Sequence, residues 1–165
     1  MADTYLNDKS STMHTYLCEL TGEEGSLIAN KLCPIIDFPD LGGTPDTIDI
    51  TDLESETSQN LLGVQSLPTF EFLANFVPNL FAGLKDKVAE GGIRKYALLF
   101  GRECQYGCVV WEGELSVWIV GGGVNAGRQM RLATSVTNQI KYHTTQNSAG
   151  ITSIDLTDGA AFEEQ

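Results

Sequence analysis

Cys104 and Cys108 stand four residues apart and are the nearest approach in this chain to a metal or redox pair. The spacing is C-x3-C, whereas a structural zinc site is built from close C-x-x-C pairs with a second matching pair elsewhere. Cys18 and Cys33 supply no such partner, so all four cysteines read as free thiols, with Cys104 and Cys108 buried or half-buried in a turn. His14 and His143 lie near opposite ends, each without a second His, Cys or carboxylate at ligand spacing. Gly122 to Gln129 (GGVNAGRQ) puts two glycines at phosphate-loop spacing. Arg128 and Gln129 occupy the places where a lysine and a magnesium-binding hydroxyl are needed, and the segment leads into a strand pattern, without the helix N-terminus a phosphate cradle uses. Glu112 and Glu114 share one strand face, where a solvated edge is the plainer reading than an acid/base couple. No G-x-S-x-G elbow occurs. Nucleophile, base and oxyanion donor cannot be assembled, and the expectation is a protein without enzymatic activity, cofactor or metal.

The elements that would have to position such residues are mostly strands. His14–Thr21 alternates His14, Tyr16, Cys18 and Leu20 against Thr15, Leu17 and Glu19, the pattern of a half-buried strand, and Gly22–Gly25 is a turn. Residues 31–37 read as a second strand, placed at an edge because Pro34 cannot donate to a central ladder. Residues 47–51 form a short strand with a charged outer face, and 52–63 show no clear period. In 67–76, Phe70, Phe72, Ala74 and Phe76 oppose Thr69, Glu71 and Asn75, a core strand. A single helix is predicted over 79–90, with Leu80, Phe81, Leu84 and Val88 on one stripe, Asn79 as its cap and Gly91-Gly92 ending it. Strands follow over 93–100, over 109–120 with a bend or bulge at Gly113, and over 128–137 with Met130, Leu132, Thr134 and Val136 inward. The fold class is therefore mainly β: an antiparallel β-sandwich or barrel-like core with one flanking α-helix and a long extended loop. The 165 residues divide into a flexible N-terminal arm (1–13), a β-sandwich domain (14–146) and a flexible C-terminal arm (147–165).

Composition narrows the partners. Hydrophobic residues make up 42% of the chain and charged ones 19%, an ordinary globular balance. The 22 acidic residues against 10 basic ones give a net charge of −12, which disfavours binding to phosphate backbones. The first residues lack a basic and then apolar stretch, and the apolar tract 109–120 is short and broken by Glu112 and Glu114, so a soluble protein made in the cytoplasm and held off membranes is expected. No Lys or Arg occurs from Leu32 to Leu84, where eight Asp and Glu fall. Such a span is a solvated acidic face or a surface that meets basic groups on a neighbouring copy, for which Arg94-Lys95, Arg102 and Arg128/Arg131 are candidates.

Two stretches resemble the major tail tube proteins of long-tailed phages with flexible tails. One runs FPDLGGTPDTIDITDL from Phe38 to Leu53 and continues through Leu61-Leu62-Gly63 to Phe70-Glu71-Phe72; the other runs from Gly113 through Gly122-Gly123-Val124-Asn125 to Met130. The resemblance implies a structural virion protein that stacks as hexameric rings into a tail tube. Viral DNA would pass through it without specific binding during genome ejection. It implies tape measure, tail terminator and distal tail proteins as partners, and the virion tail as location after assembly in the host cytoplasm. Under that reading Pro39, Asp40, Leu41, Gly42, Gly43, Thr44, Pro45 and Asp46 belong to an oligomerisation loop, and Glu112 and Glu114 are candidate lumen carboxylates. Two other readings stay open: a monomeric β-barrel holding a small apolar ligand among Trp111, Trp118 and the phenylalanines, and a capsid decoration or head-completion protein.

Overall fold

A computed structural model describes residues 13–156. Eleven strands and one helix follow in the order β1 (Thr15–Glu23), β2 (Ser26–Cys33), β3 (Ile35–Asp37), β4 (Thr47–Asp49), β5 (Asn60–Leu62), β6 (Thr69–Asn75), α1 (Pro78–Glu90), β7 (Arg94–Phe100), β8 (Cys108–Val120), β9 (Gln129–Val136), β10 (Lys141–His143) and β11 (Ile151–Asp155). Nine strands make one sheet in the order β11-β2-β1-β7-β8-β9-β6-β3, with β10 pairing the start of β8; β4 and β5 form a separate ribbon. The mainly β fold with one flanking helix is as the sequence reads. The sheet is mixed, because β11 runs parallel to β2 while every other pairing is antiparallel.

Period-2 patterning places the main core. Phe70 and Phe72 from β6, Trp111 and Val117 from β8, and Met130 and Leu132 from β9 bury together with Leu17, Tyr96 and Leu98. The aromatics pack on one another: the Phe70 ring meets Trp111 edge-on at 5.1 Å and Phe72 stacks on it at 5.9 Å. The indole N–H of Trp111 donates to Thr134 Oγ1 at 3.0 Å, which satisfies both polar groups in the interior. Helix α1 closes this core through Leu84, with Leu80, Phe81 and Val88 packed beside it.

The other face of β1 and β7 is also covered. Cys18, Leu20, Ala97, Leu99, Cys104 and Cys108 form a second cluster with Leu27, Ala29 and Ile151. This corrects the half-buried reading of β1, where four consecutive residues, Leu17 to Leu20, are buried. It also corrects the boundary drawn at residue 146, since β11 lies in the sheet and Ile151 is buried. Alternation over 147–156 is too short and too polar to announce a strand. Of the two expected arms, residues 1–12 and 157–165 lie outside the described residues.

Three local readings change for physical reasons. Pro34 splits the second strand into β2 and β3, and β3 takes the sheet edge. The helix begins one residue early: Pro78 sits at its first turn, where its missing N–H costs nothing, and Val77 precedes it with no side-chain cap, so Asn79 is inside the helix. Gly113 makes no bulge, for its pairings with Arg94 and Val136 run without a register shift. A Cβ there would stand 1.6 Å from the Ser135 carbonyl oxygen, so close strand approach demands glycine.

Candidate assembly interface

The segment between β3 and β6 is a long arm with a fixed base and an exposed end. At its base Phe38 and Leu41 pack against the main core, the Phe38 ring 6.3 Å from Phe100. Gln65 Nε2 donates to the Gly43 carbonyl at 2.7 Å, and the Asp46 carbonyl accepts from the Gly63 N–H, tying the two sides of the arm together. Beyond these ties β4 and β5 pair with Ile48 opposite Leu61 and Thr47 opposite Leu62. The tip is closed by side chains: Asp49 Oδ1 accepts from the N–H and hydroxyl of Thr51, and Asp52 Oδ1 from the Glu54 N–H and the Ser55 hydroxyl. These hydrogen bonds, hydroxyl donors first, hold both carboxyls below the ordinary aspartate range, so the tip stays negative.

Every residue of β4 and β5 is exposed. Leu53 is fully exposed at 106%, Val64 at 85% and Leu62 at 73%, and Ile48, Ile50, Leu61 and Leu67 are exposed along the same arm, on both faces of the ribbon. A two-stranded ribbon is marginal by itself in water, and so many exposed apolar side chains on one short arm mark an interaction site. The sequence hid this feature, since 52–63 has no period and β5 is three residues long. The loop residues singled out from the sequence divide. Leu41 belongs to the anchored base, Pro39, Gly42 and Pro45 are half-buried, and Asp40, Gly43, Thr44 and Asp46 are exposed.

Glu112 and Glu114 are likewise separated in role. Glu112 Oε2 accepts from Asn138 Nδ2 at 3.2 Å and its other oxygen lies 3.9 Å from Lys95 Nζ. Glu114 is exposed, opposite Ser135. Several of the cations proposed to meet the acidic span are engaged within the chain: Arg94 with Glu19 and Glu90, Arg131 with Glu71 at 3.0 Å, and Arg128 over the Phe76 ring.

No grouping of three or more His, Cys, Asp or Glu residues able to hold a metal occurs among the described residues. The four cysteines are free and buried. The segment 122–127 enters β9 directly. Among the described residues no helix is long and apolar enough to cross a membrane.

No family model matches the chain, and no curated protein matches it in sequence. Solved structures do match in fold. The tail of an empty GTA particle, solved with C6 symmetry, superposes with a TM-score of 0.56 at 15% identity, over 76% of this chain and 94% of that one. The tube-terminating cap of the anti-feeding prophage gives 0.60 at 13% identity, over 83% and 92%. A chain of the sheath-tube complex of the extracellular contractile injection system PVC gives 0.57 at 9% identity, over 88% and 100%. The protein thus has the fold shared by a phage-like tail, a tube cap and a contractile sheath-tube complex.

Proposed function

We propose that this chain is a structural subunit of a phage-type tail tube, assembling with copies of itself into stacked hexameric rings that leave a channel for DNA. The observation that carries the reading is the exposed apolar arm, a ribbon with no hydrophobic cover among the described residues, on a fold common to tail and tube components. The C6 symmetry of the GTA tail supports six copies per ring. The net charge of −12 supports a channel through which DNA slides without the phosphate contacts that would stall it. Glu114 is the better of the two lumen candidates, because Glu112 is engaged by Asn138 and Lys95. Tape measure, terminator and distal tail proteins would meet the ends of such a tube. The chain carries no catalytic role in this reading.

Trp111 packs among Phe70, Phe72 and Tyr96 in the core while Trp118 lies at the surface, which weighs against the apolar-ligand reading. A tube-terminator role is a second reading, favoured by the likeness to the anti-feeding prophage cap. Negative-stain microscopy and sedimentation of the purified protein test both. Long hollow tubes are expected; isolated single rings would assign the chain to termination, and stable monomers at high concentration would overturn assembly altogether.

A further inference from the structure

We infer that the acidic tip of one copy's arm docks in the cleft between β8, β10 and the 146–150 turn of a second copy, with Leu53 as the apolar knob and Asp52 and Glu54 facing Lys95 and Lys141. The inference rests on the self-assembly reading above and names the surface that receives the arm. The cleft has a volume of about 260 Å³ and a half-apolar floor in which Val110 and Ala149 are partly buried. Its charged lining is Lys95, Lys141, Glu24 and Glu112, with His143 beside them. Glu112 is already engaged by Asn138 and Lys95, whereas Lys141 makes no ion pair among the described residues. Its two lysines and two glutamates cancel, a local exception in a chain of net charge −12, and Lys141 is the cation left unpaired among the described residues. The arm is its complement. Between Asp46 and Glu56 it carries five carboxylates and no cation, and Leu53 projects fully exposed between two of them. The side-chain hydrogen bonds that close the tip fix that knob before contact, which lowers the ordering cost of docking.

Cross-linking tests the assignment. One preparation carries Leu53→Cys and a second carries Gln139→Cys at the exposed rim of the cleft. They are mixed under copper-phenanthroline oxidation; the four native thiols are buried, and each variant mixed with the unaltered protein gives the background. A disulfide-linked heterodimer well above that background is expected. Adding Lys95→Glu and Lys141→Glu to the rim variant should lower its yield about tenfold, and adding Asp52→Lys and Glu54→Lys to the arm variant should restore it. A yield at background, or one indifferent to charge reversal, overturns the docking. Microscopy of the same samples is read separately. Tubes without the cross-link leave the tail-tube reading standing and refute this cleft; cross-linked copies without tubes do the reverse.

Discussion

Lys87 Nζ lies 2.8 Å from Glu19 Oε2, joining the last turn of α1 to the middle of β1 across 68 residues of sequence. Arg94 Nη1 reaches the other carboxylate oxygen at 3.1 Å and its Nη2 reaches Glu90 at 2.7 Å. Glu19 is 5% exposed, so its charge is tolerable only because both oxygens are taken by cations.

Removing that carboxylate should loosen the helix. Glu19→Ala is expected to cost about 1–3 kcal/mol, less than a fully buried pair, because Lys87 and Arg94 are partly exposed and can be rehydrated. Lys87→Met should cost less, since Arg94 still serves Glu19. Urea midpoints at constant m-value measure both. A Glu19→Ala change below about 0.5 kcal/mol would show that the triad holds nothing together.

Gly113 gives a sharper contrast. An alanine there places Cβ 1.6 Å from the Ser135 carbonyl, which cannot yield without parting β8 from β9, and a loss of about 3 kcal/mol or more is expected. Gly121 lies just past the end of β8 and has nothing within 4 Å of an added Cβ, so Gly121→Ala should change stability by under about 0.5 kcal/mol. Equal effects of the two would contradict the close approach.

Strands β6 and β9 show what the sequence made legible. Alternation in β6 and β9 located the core because one face of each is polar, and the pattern survives as burial in Phe70, Phe72, Met130 and Leu132. It misled in β1, where the second cluster covers the outer face, and alternation cannot report a layer contributed by distant β11. The arm was legible in its charge and its Pro and Gly punctuation, but its exposed leucines look like core residues in a linear string. Only the tertiary placement shows that they are exposed among the described residues. The ion pairs of Arg94 and Arg131 were equally hidden, since their partners Glu19 and Glu71 lie 75 and 60 residues away.

Thiol chemistry follows burial. Burial pushes the Cys18 thiol up to about 12, and Cys108 rises because it donates to the Cys104 sulfur and is itself desolvated. Cys104 is lowered by the bond it receives. In the native protein at pH 8, labelling by a thiol-specific disulfide reagent should be slow and should begin at Cys104; four thiols should react at once in denaturant. Rapid native labelling of Cys18 would contradict its burial.

Alkali should unfold the protein through the same groups. Cys18 moves from an ordinary 9.0 and Tyr96 from 10.0, each to about 12 and each mainly by burial. Both folded-state values are raised, so the stability is full below about pH 9 and is lost as pH climbs toward 12, because the unfolded chain releases protons that the folded one keeps. Each group contributes a slope of about 1.4 kcal/mol per pH unit inside its window. The Tyr96 hydroxyl is buried with no hydrogen-bond partner among the described residues. Tyr96→Phe should therefore stabilise by about 1 kcal/mol at pH 7 and by more at pH 11. A destabilised variant at pH 7 would mean that the hydroxyl is satisfied after all.

The arm separates folding from assembly more cleanly than any other element. Leu61 and Leu62 are 54% and 73% exposed in the monomer and face opposite sides of the ribbon, opposite Ile48 and Thr47. Replacing both by serine removes little that the monomer uses, so the urea midpoint should move by under about 0.5 kcal/mol. In an assembly that buries them, each leucine contributes about 1.5–3 kcal/mol, and the pair should raise the critical concentration for tube formation by roughly a hundredfold or more. A urea titration of the monomer reads the first quantity, and sedimentation across a protein concentration series reads the second. An unchanged critical concentration would mean that the ribbon stays in water within the tube, and the exposed leucines would then need another partner.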